Sequence, residues 1–147
     1  MRNKKKEGLN LPNFKFREMC QDDMNFILNS WMLSNRSNQT DMENDDYFPS
    51  TEHYIRMLLK KCCVLMFTDP EDPNHLYGFV CWDSYPHGHI IHYAYLKHSF
   101  RQFGRFRSFT DLIITKDRPV YITHKPRNLP YLKSALQVAY DPFLIWR

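Results

Sequence analysis

No apolar run in this sequence approaches the ~20 residues that cross a bilayer as a helix, and mean hydropathy is −0.59, so no membrane role is expected. The basic start is not followed by an apolar stretch of roughly 7–15 residues, so no secretory leader is expected. There is no C-x-x-C pair either. The four cysteines are Cys20, Cys62, Cys63 and Cys81, two of them adjacent, a spacing that argues against zinc and for reduced thiols in a cytoplasmic protein. Charge imbalance is small. Lys plus Arg number 20 against 16 Asp plus Glu, a net charge of +4. That permits contact with an anion but does not by itself indicate nucleic acid. Internal repeats and low-complexity tracts are absent. What is present is 147 residues, 43% hydrophobic and 16% aromatic, enough for one domain with a sizeable core and too apolar for disorder.

Residues 1–12 are polar, with Lys4, Lys5 and Lys6 in a row. They read as a solvated basic tail, or as an arm for nucleic acid or a virion component. The domain proper is residues 13–147. Phe14, Phe16 and Met19 suggest a first strand. Asp22 or Asp23 can cap a helix in which Met24, Ile27, Leu28 and Trp31 recur at i, i+3, i+4 and i+7, ending near Asn35–Arg36. A polar connection follows, with Asp41, Glu43, Asp45 and Asp46 clustered in it. It lacks the glycine and ligand spacing of a calcium loop. It reads as a solvated loop or as an attractor of a cationic amine. A second helix is expected from Pro49–Ser50, burying Tyr54, Ile55, Leu58, Leu59 and Cys62, with Lys60 and Lys61 suiting its C-terminal end. Strands are expected at Cys63 to Thr68 and Leu76 to Trp82, parted by a turn at Asp69 to Asn74. Gly78 marks a bulge or close approach.

The stretch His87 to Phe109 carries the most information. Gly88 to about Lys97 reads as a strand with Ile90, His92, Ala94 and Leu96 on one face and Ile91, Tyr93 and Tyr95 on the other. Ser99 and Gln102 have capping-box spacing. Phe103, Phe106, Phe109, Leu112 and Ile113 give the next helix an apolar side. Arg101, Gly104 and Arg105 fall in its first turn, where unpaired N–H groups and the helix dipole attract an anion such as phosphate or pyrophosphate. Beyond Asp117-Arg118-Pro119, Val120 to Thr123 reads as a strand, Asn128 caps a short helix with Pro130 in its first turn, and Leu136 to Ile145 is extended, interrupted at Asp141-Pro142.

Arg101-Gln102-Phe103-Gly104-Arg105-Phe106 resembles the Arg/Gln-x-x-Gly-x-Gly/Ala signature of GNAT acyltransferases. Ile90-Ile91-His92 followed by Phe100-Arg101-Gln102-Phe103-Gly104 is most similar to the arylalkylamine N-acetyltransferases. There, a His-x-His strand leads into Phe-Arg-Gln-x-Gly. Two positions depart: Ile90 stands for the first histidine, and Phe106 for the final small residue, where a ring must turn into the core or obstruct the cofactor. The element order matches too: β-α-α-β-β-β-α-β-α-β, an α/β (α+β) GNAT fold with a mixed, mostly antiparallel sheet flanked by helices. The closing Tyr140 to Ile145 resembles small GNAT-like proteins of tailed bacteriophages.

That resemblance implies an acetyl-CoA-dependent N-acyltransferase acting on an amine of a small molecule or protein. Tyr95 and Leu96 would pair with the pantetheine arm, and Arg101, Gln102, Phe103, Gly104, Arg105 and Phe106 would hold the pyrophosphate. The link bearing Asp41, Glu43, Asp45 and Asp46 would border the acceptor. His92 is the candidate base, because imidazole exchanges protons near neutrality; a hydrogen-bonded sheet histidine is the plainer reading. Tyr131 would be the acid toward the thiolate, with Tyr140 the alternative. His87 and His89 are expected at the solvent-facing strand start. The competing expectation is a GNAT-like protein without catalysis that binds a host or virion protein, or nucleic acid through Lys4–Lys6, Arg101, Arg105 and Arg107.

Overall fold

The structure, a computed structural model, describes residues 14–39, 41–86, 88–97, 119–123 and 138–146. Its elements are β1 (Lys15–Glu18), α1 (Met24–Asn35), α2 (Asn44–Lys61), β2 (Cys63–Thr68), β3 (Leu76–Tyr85), β4 (Gly88–Leu96), β5 (Val120–Ile122) and β6 (Val138–Tyr140). The strands form one sheet in sequence order. Strands β1 to β4 pair antiparallel, while β4–β5 and β5–β6 are parallel. This is the expected mixed, mostly antiparallel α+β architecture. The expected cradle helix after residue 98 and the short helix near Asn128 lie outside the described residues.

The expected face of α1 is the buried one: Ile27, Leu28 and Trp31 pack with Ile55 and Leu58 of α2 over Val64, Met66, Phe79, Cys81 and Tyr93 of the sheet. Trp31 stacks on Tyr93 at 4.5 Å between centroids and 8° between planes, a contact worth about 1 kcal/mol beyond burial. On the other face Phe67, Tyr77, Val80, Ile91, Leu96 and Val120 form a second core. The entry to α1 depends on Asp23, as a buried partner rather than a side-chain cap. Its carboxylate accepts two bonds from the Arg17 guanidinium, 2.7 and 2.8 Å, and one from the Cys20 N–H, 2.9 Å. Burial pushes this carboxyl up, but Arg17 and the Cys20 donors outweigh it and hold it below its usual range.

Several expectations are corrected. Helix α2 begins at Asn44, not near Pro49, which lies inside it. The extra turn buries Tyr47, whose hydroxyl donates to the Met32 carbonyl at 2.6 Å, with the Arg36 guanidinium 4.6 Å over its ring. Tertiary contact here overrides the proline signal. Asp45 and Asp46 therefore occupy a helix first turn, where the dipole favours acids. Strand β3 continues to Tyr85, past Trp82. Pro142–Trp146 is a 3-10 helix rather than an extended segment, because the Asp141 carboxylate accepts the Phe143 N–H at 3.0 Å and turns the chain. Gly78 is a close approach: a Cβ there would sit 2.1 Å from the Tyr95 carbonyl oxygen.

Candidate functional site

Strand β4 does not alternate regularly. Cys81 pairs with Tyr93 and Trp82 with Ile91, leaving His92 as the extra residue of a bulge. The expected single face of Ile91, Tyr93 and Tyr95 is thereby divided. Ile91 joins Leu96 and Ala94 in one core; Tyr93 and Tyr95 pack against the helix-side core. One inserted residue reverses every side chain beyond it, and it re-aims His92 at the helix-side groups Cys62 and Asp83. The Cys62 sulfur, an Asp83 carboxylate oxygen and a His92 ring nitrogen lie within 4.8 Å of one another.

His92 is 3% exposed. Its Nδ1 lies 3.2 Å from Thr123 Oγ1, just beyond β5, and its Nε2 lies 3.9 Å from Asp83 Oδ2. The tautomer with the proton on Nδ1 donates to the hydroxyl and leaves the Nε2 lone pair facing Cys62 and Asp83. Asp83 is then placed to stabilise an imidazolium once it forms.

Cys62 follows the last turn of α2, and its N–H donates to the Leu58 carbonyl at 2.9 Å. A hydrogen bond from Cys81 pulls the Cys62 thiol down to about 7, against burial and with help from His92. The shared proton raises Cys81 in turn, and burial adds to that rise. Burial raises Cys63 and pushes Tyr54 up to about 12. Cys62 is thus the thiol poised to be a thiolate near neutrality. Three donors are fewer than the four protein ligands of a structural zinc site.

Beside this cluster opens a cleft of about 260 Å³ lined by Tyr85, Pro86, Gly88, Ile90, Tyr121, Asp141 and Leu144. The Tyr85 hydroxyl is 3.5 Å from Asp83 Oδ2, so the cleft wall and the cluster share a residue contact. Gly88 lets β4 approach Pro119 closely, since a Cβ there would sit 2.6 Å from the Pro119 carbonyl oxygen.

The other sequence candidates are distributed as follows. Tyr95 packs on Phe26 and Phe79 and Leu96 is buried in the opposite core, so it is their backbone that could meet a cofactor. Arg101, Gln102, Phe103, Gly104, Arg105, Phe106, Tyr131 and His87 lie outside the described residues. Asp41, Glu43, Asp45 and Asp46 are exposed. From Asp46 to Cys62 is sixteen residues of helix and cap, roughly 24 Å at 1.5 Å per residue, so they are not gathered with His92. His89, expected at the surface, is instead 2% exposed, with Nδ1 3.1 Å from Ser84 Oγ. The antiparallel partner strand and β5 enclose it. Cys62, Asp83 and Thr123 had no signal of their own as site residues in the sequence, because only the packing of the helix end and strand pairing bring them to His92.

The sequence matches no protein-family model and no curated protein. Solved structures do share its fold. A possible acetyltransferase from Clostridium difficile 630 is 12% identical, with 86% of this chain and 90% of that chain covered at a TM-score of 0.58. A GNAT-family acetyltransferase from Staphylococcus aureus Mu50 is 11% identical over 83% and 82% of the two chains, TM-score 0.57. One from Clostridium acetobutylicum, described as a predicted acetyltransferase and solved with acetyl-CoA, is 13% identical over 83% and 88%, TM-score 0.52. The fold is that of the GNAT acetyltransferases. No helix among the described residues is long and apolar enough to cross a membrane.

Proposed function

We propose that this chain is an acyl-CoA-dependent N-acyltransferase acting on an amine of a small molecule or protein, with His92 as its base. The observation that carries the reading is the bulge that turns a buried histidine toward Cys62 and Asp83 beside a cleft, on the GNAT fold. Bulges recur where a strand must re-aim a side chain at a reacting group. In this reading the cofactor's pantetheine arm runs along the backbone of Tyr95 and Leu96. Arg101, Gln102, Phe103, Gly104, Arg105 and Phe106 cradle its pyrophosphate, as the sequence resemblance implies. When bound, acetyl-CoA supplies an activated acyl group. His92 Nε2 takes the proton of the incoming amine, Thr123 holds the ring and Asp83 stabilises the charge. Tyr131 is the acid toward the departing thiolate. Asp41, Glu43, Asp45 and Asp46 attract a cationic acceptor at a distance.

Calorimetric titration with acetyl-CoA tests the reading. Binding is expected, weakened in Arg101→Ala. His92→Ala should lower acyl transfer by about 10²–10⁴ with acetyl-CoA affinity kept. No heat at millimolar acetyl-CoA would overturn it in favour of a GNAT-fold binding protein, of host or virion partners, for which Phe106 in the small-residue position of the signature speaks.

A further inference from the structure

Cys62 is not part of the mechanism above. Yet it has the company of a nucleophile: a thiol beside a base, and a base oriented by a third group. Its sulfur, His92 and Asp83 converge within 4.8 Å. Thr123 holds the far ring nitrogen of that histidine at 3.2 Å. Cys62 is partly exposed, whereas Cys81, its thiol neighbour, is fully buried. The cleft of about 260 Å³ lies next to them, its wall residue Tyr85 reaching Asp83 at 3.5 Å.

We propose that Cys62 is an acyl-accepting nucleophile, so that the protein carries the acyl group as a thioester before passing it to the acceptor. The inference rests on the acyltransferase reading for its physiological donor, but not for its chemistry. His92 takes the Cys62 thiol proton and becomes the imidazolium, and the Cys62 thiolate attacks the donor's carbonyl carbon, forming an S–C bond. The donor's C–S bond breaks, and the departing thiolate takes a proton from the His92 imidazolium. The amine then attacks the Cys62 thioester, His92 takes the amine's proton, and the Cys62 thiolate leaves. One thioester is exchanged for another and then for an amide, so no oxidant or reductant is needed.

The electrostatics agree with the geometry. Cys81, His92 and Asp83 interact with the Cys62 thiol by hydrogen bonds, and Cys63, Tyr54 and Tyr85 feel its charge. The Cys81 hydrogen bond acts first and His92 second in favouring the thiolate, while burial and Asp83 oppose them. The balance leaves a thiol that ionises at about 7, where a nucleophile is both populated and reactive.

Two donors separate this proposal from the one it rests on. The full chain is incubated with p-nitrophenyl acetate, which needs no CoA site, and separately with acetyl-CoA. It is then acid-quenched and its intact mass measured. With p-nitrophenyl acetate one acyl group per chain is expected, released by hydroxylamine as a thioester is, mapped by peptide mass to Cys62, and accompanied by a stoichiometric burst of nitrophenolate. Cys62→Ser should lose the hydroxylamine-labile adduct, Cys63→Ser should keep it, and His92→Gln should slow its formation at least tenfold. Circular dichroism checks that each variant is folded. The same adduct from acetyl-CoA would support both readings. The adduct from the ester alone would keep the nucleophile and overturn acyl-CoA as the donor to Cys62. No hydroxylamine-labile adduct on Cys62 of the wild type from either donor would overturn the proposal, and if acetyl-CoA still acylated an amine, the acyltransferase reading would stand without it.

Discussion

Thr123 Oγ1 lies 3.2 Å from His92 Nδ1, and this contact joins the bulge of β4 to the residue following the parallel strand β5. Both residues are buried, Thr123 at 7% and His92 at 3% exposure. Thr123→Val keeps the shape and removes the oxygen. It leaves a buried ring nitrogen unsatisfied, at a cost of about 1–3 kcal/mol. Thermal denaturation should show that loss. Acyl transfer should fall by about tenfold, or about 1.4 kcal/mol, because the ring loses the bond that orients it. Thr123→Ser should restore both. A rate unchanged in Thr123→Val would show that the strand, not the hydroxyl, orients the imidazole.

The Arg17–Asp23 pair predicts the acid limb of stability. The Asp23 carboxyl is held below its usual range in the folded chain. A depressed folded pKa means that the unfolded chain binds its proton first. The stabilisation is therefore complete above the unfolded value, near pH 4, and is lost as pH falls through the folded one. Arg17→Met should cost about 3 kcal/mol at neutral pH by stranding a buried carboxylate. In Arg17→Met/Asp23→Asn, urea titrations from neutral pH down to about pH 2 should give a flatter acid limb than wild type. A wild-type limb in the double variant would place the titrating group elsewhere.

The sequence periodicities were sufficient for α1, β2 and the stripe of α2, because apolar spacing there coincides with the buried face. They failed where a long-range contact changes a local rule. Tyr47 extends α2 through Pro49, and the Cys81–Trp82 step of β3 faces a strand with one residue more. The site was half legible for the same reason. His92 stands out by residue type and place, whereas Cys62, Asp83 and Thr123 reach it from a helix end, a strand and the end of another strand, at separations no motif spacing encodes.

Gly78 tests how tightly β3 and β4 are joined. A methyl group there would collide with the Tyr95 carbonyl at 2.1 Å and with Leu96 at 2.9 Å. Backbone cannot yield as a side-chain tip would, so Gly78→Ala should destabilise by about 3 kcal/mol. Because Gly78 also faces the irregular step between Phe67 and Thr68, hydrogen exchange should quicken in β2 and β4 together. Exchange confined to β3 would mean that the sheet absorbs the strain locally.

The acidic residues at the start of α2 predict an effect on substrate capture without one on chemistry. Asp41, Glu43, Asp45 and Asp46 are exposed, and Asp46 is roughly 24 Å from Cys62 along the helix. That is beyond contact and about three times the screening length of roughly 8 Å at physiological ionic strength. They can steer a cationic amine but not position it. Changing all four to Asn or Gln should therefore raise KM for a cationic acceptor at low salt, leave kcat unchanged, and leave KM for a neutral acceptor unchanged. At about 1 M salt, where screening falls to roughly 3 Å, wild type and variant should converge. Helix α2 should also fray earlier, since the variant loses the favourable interaction of Asp45 and Asp46 with its N-terminal dipole, which far-ultraviolet circular dichroism on heating would detect. A fall in kcat would mean that an acid touches the bound amine, and the acceptor would then have to span from the head of α2 to His92, as a peptide could and a small amine could not.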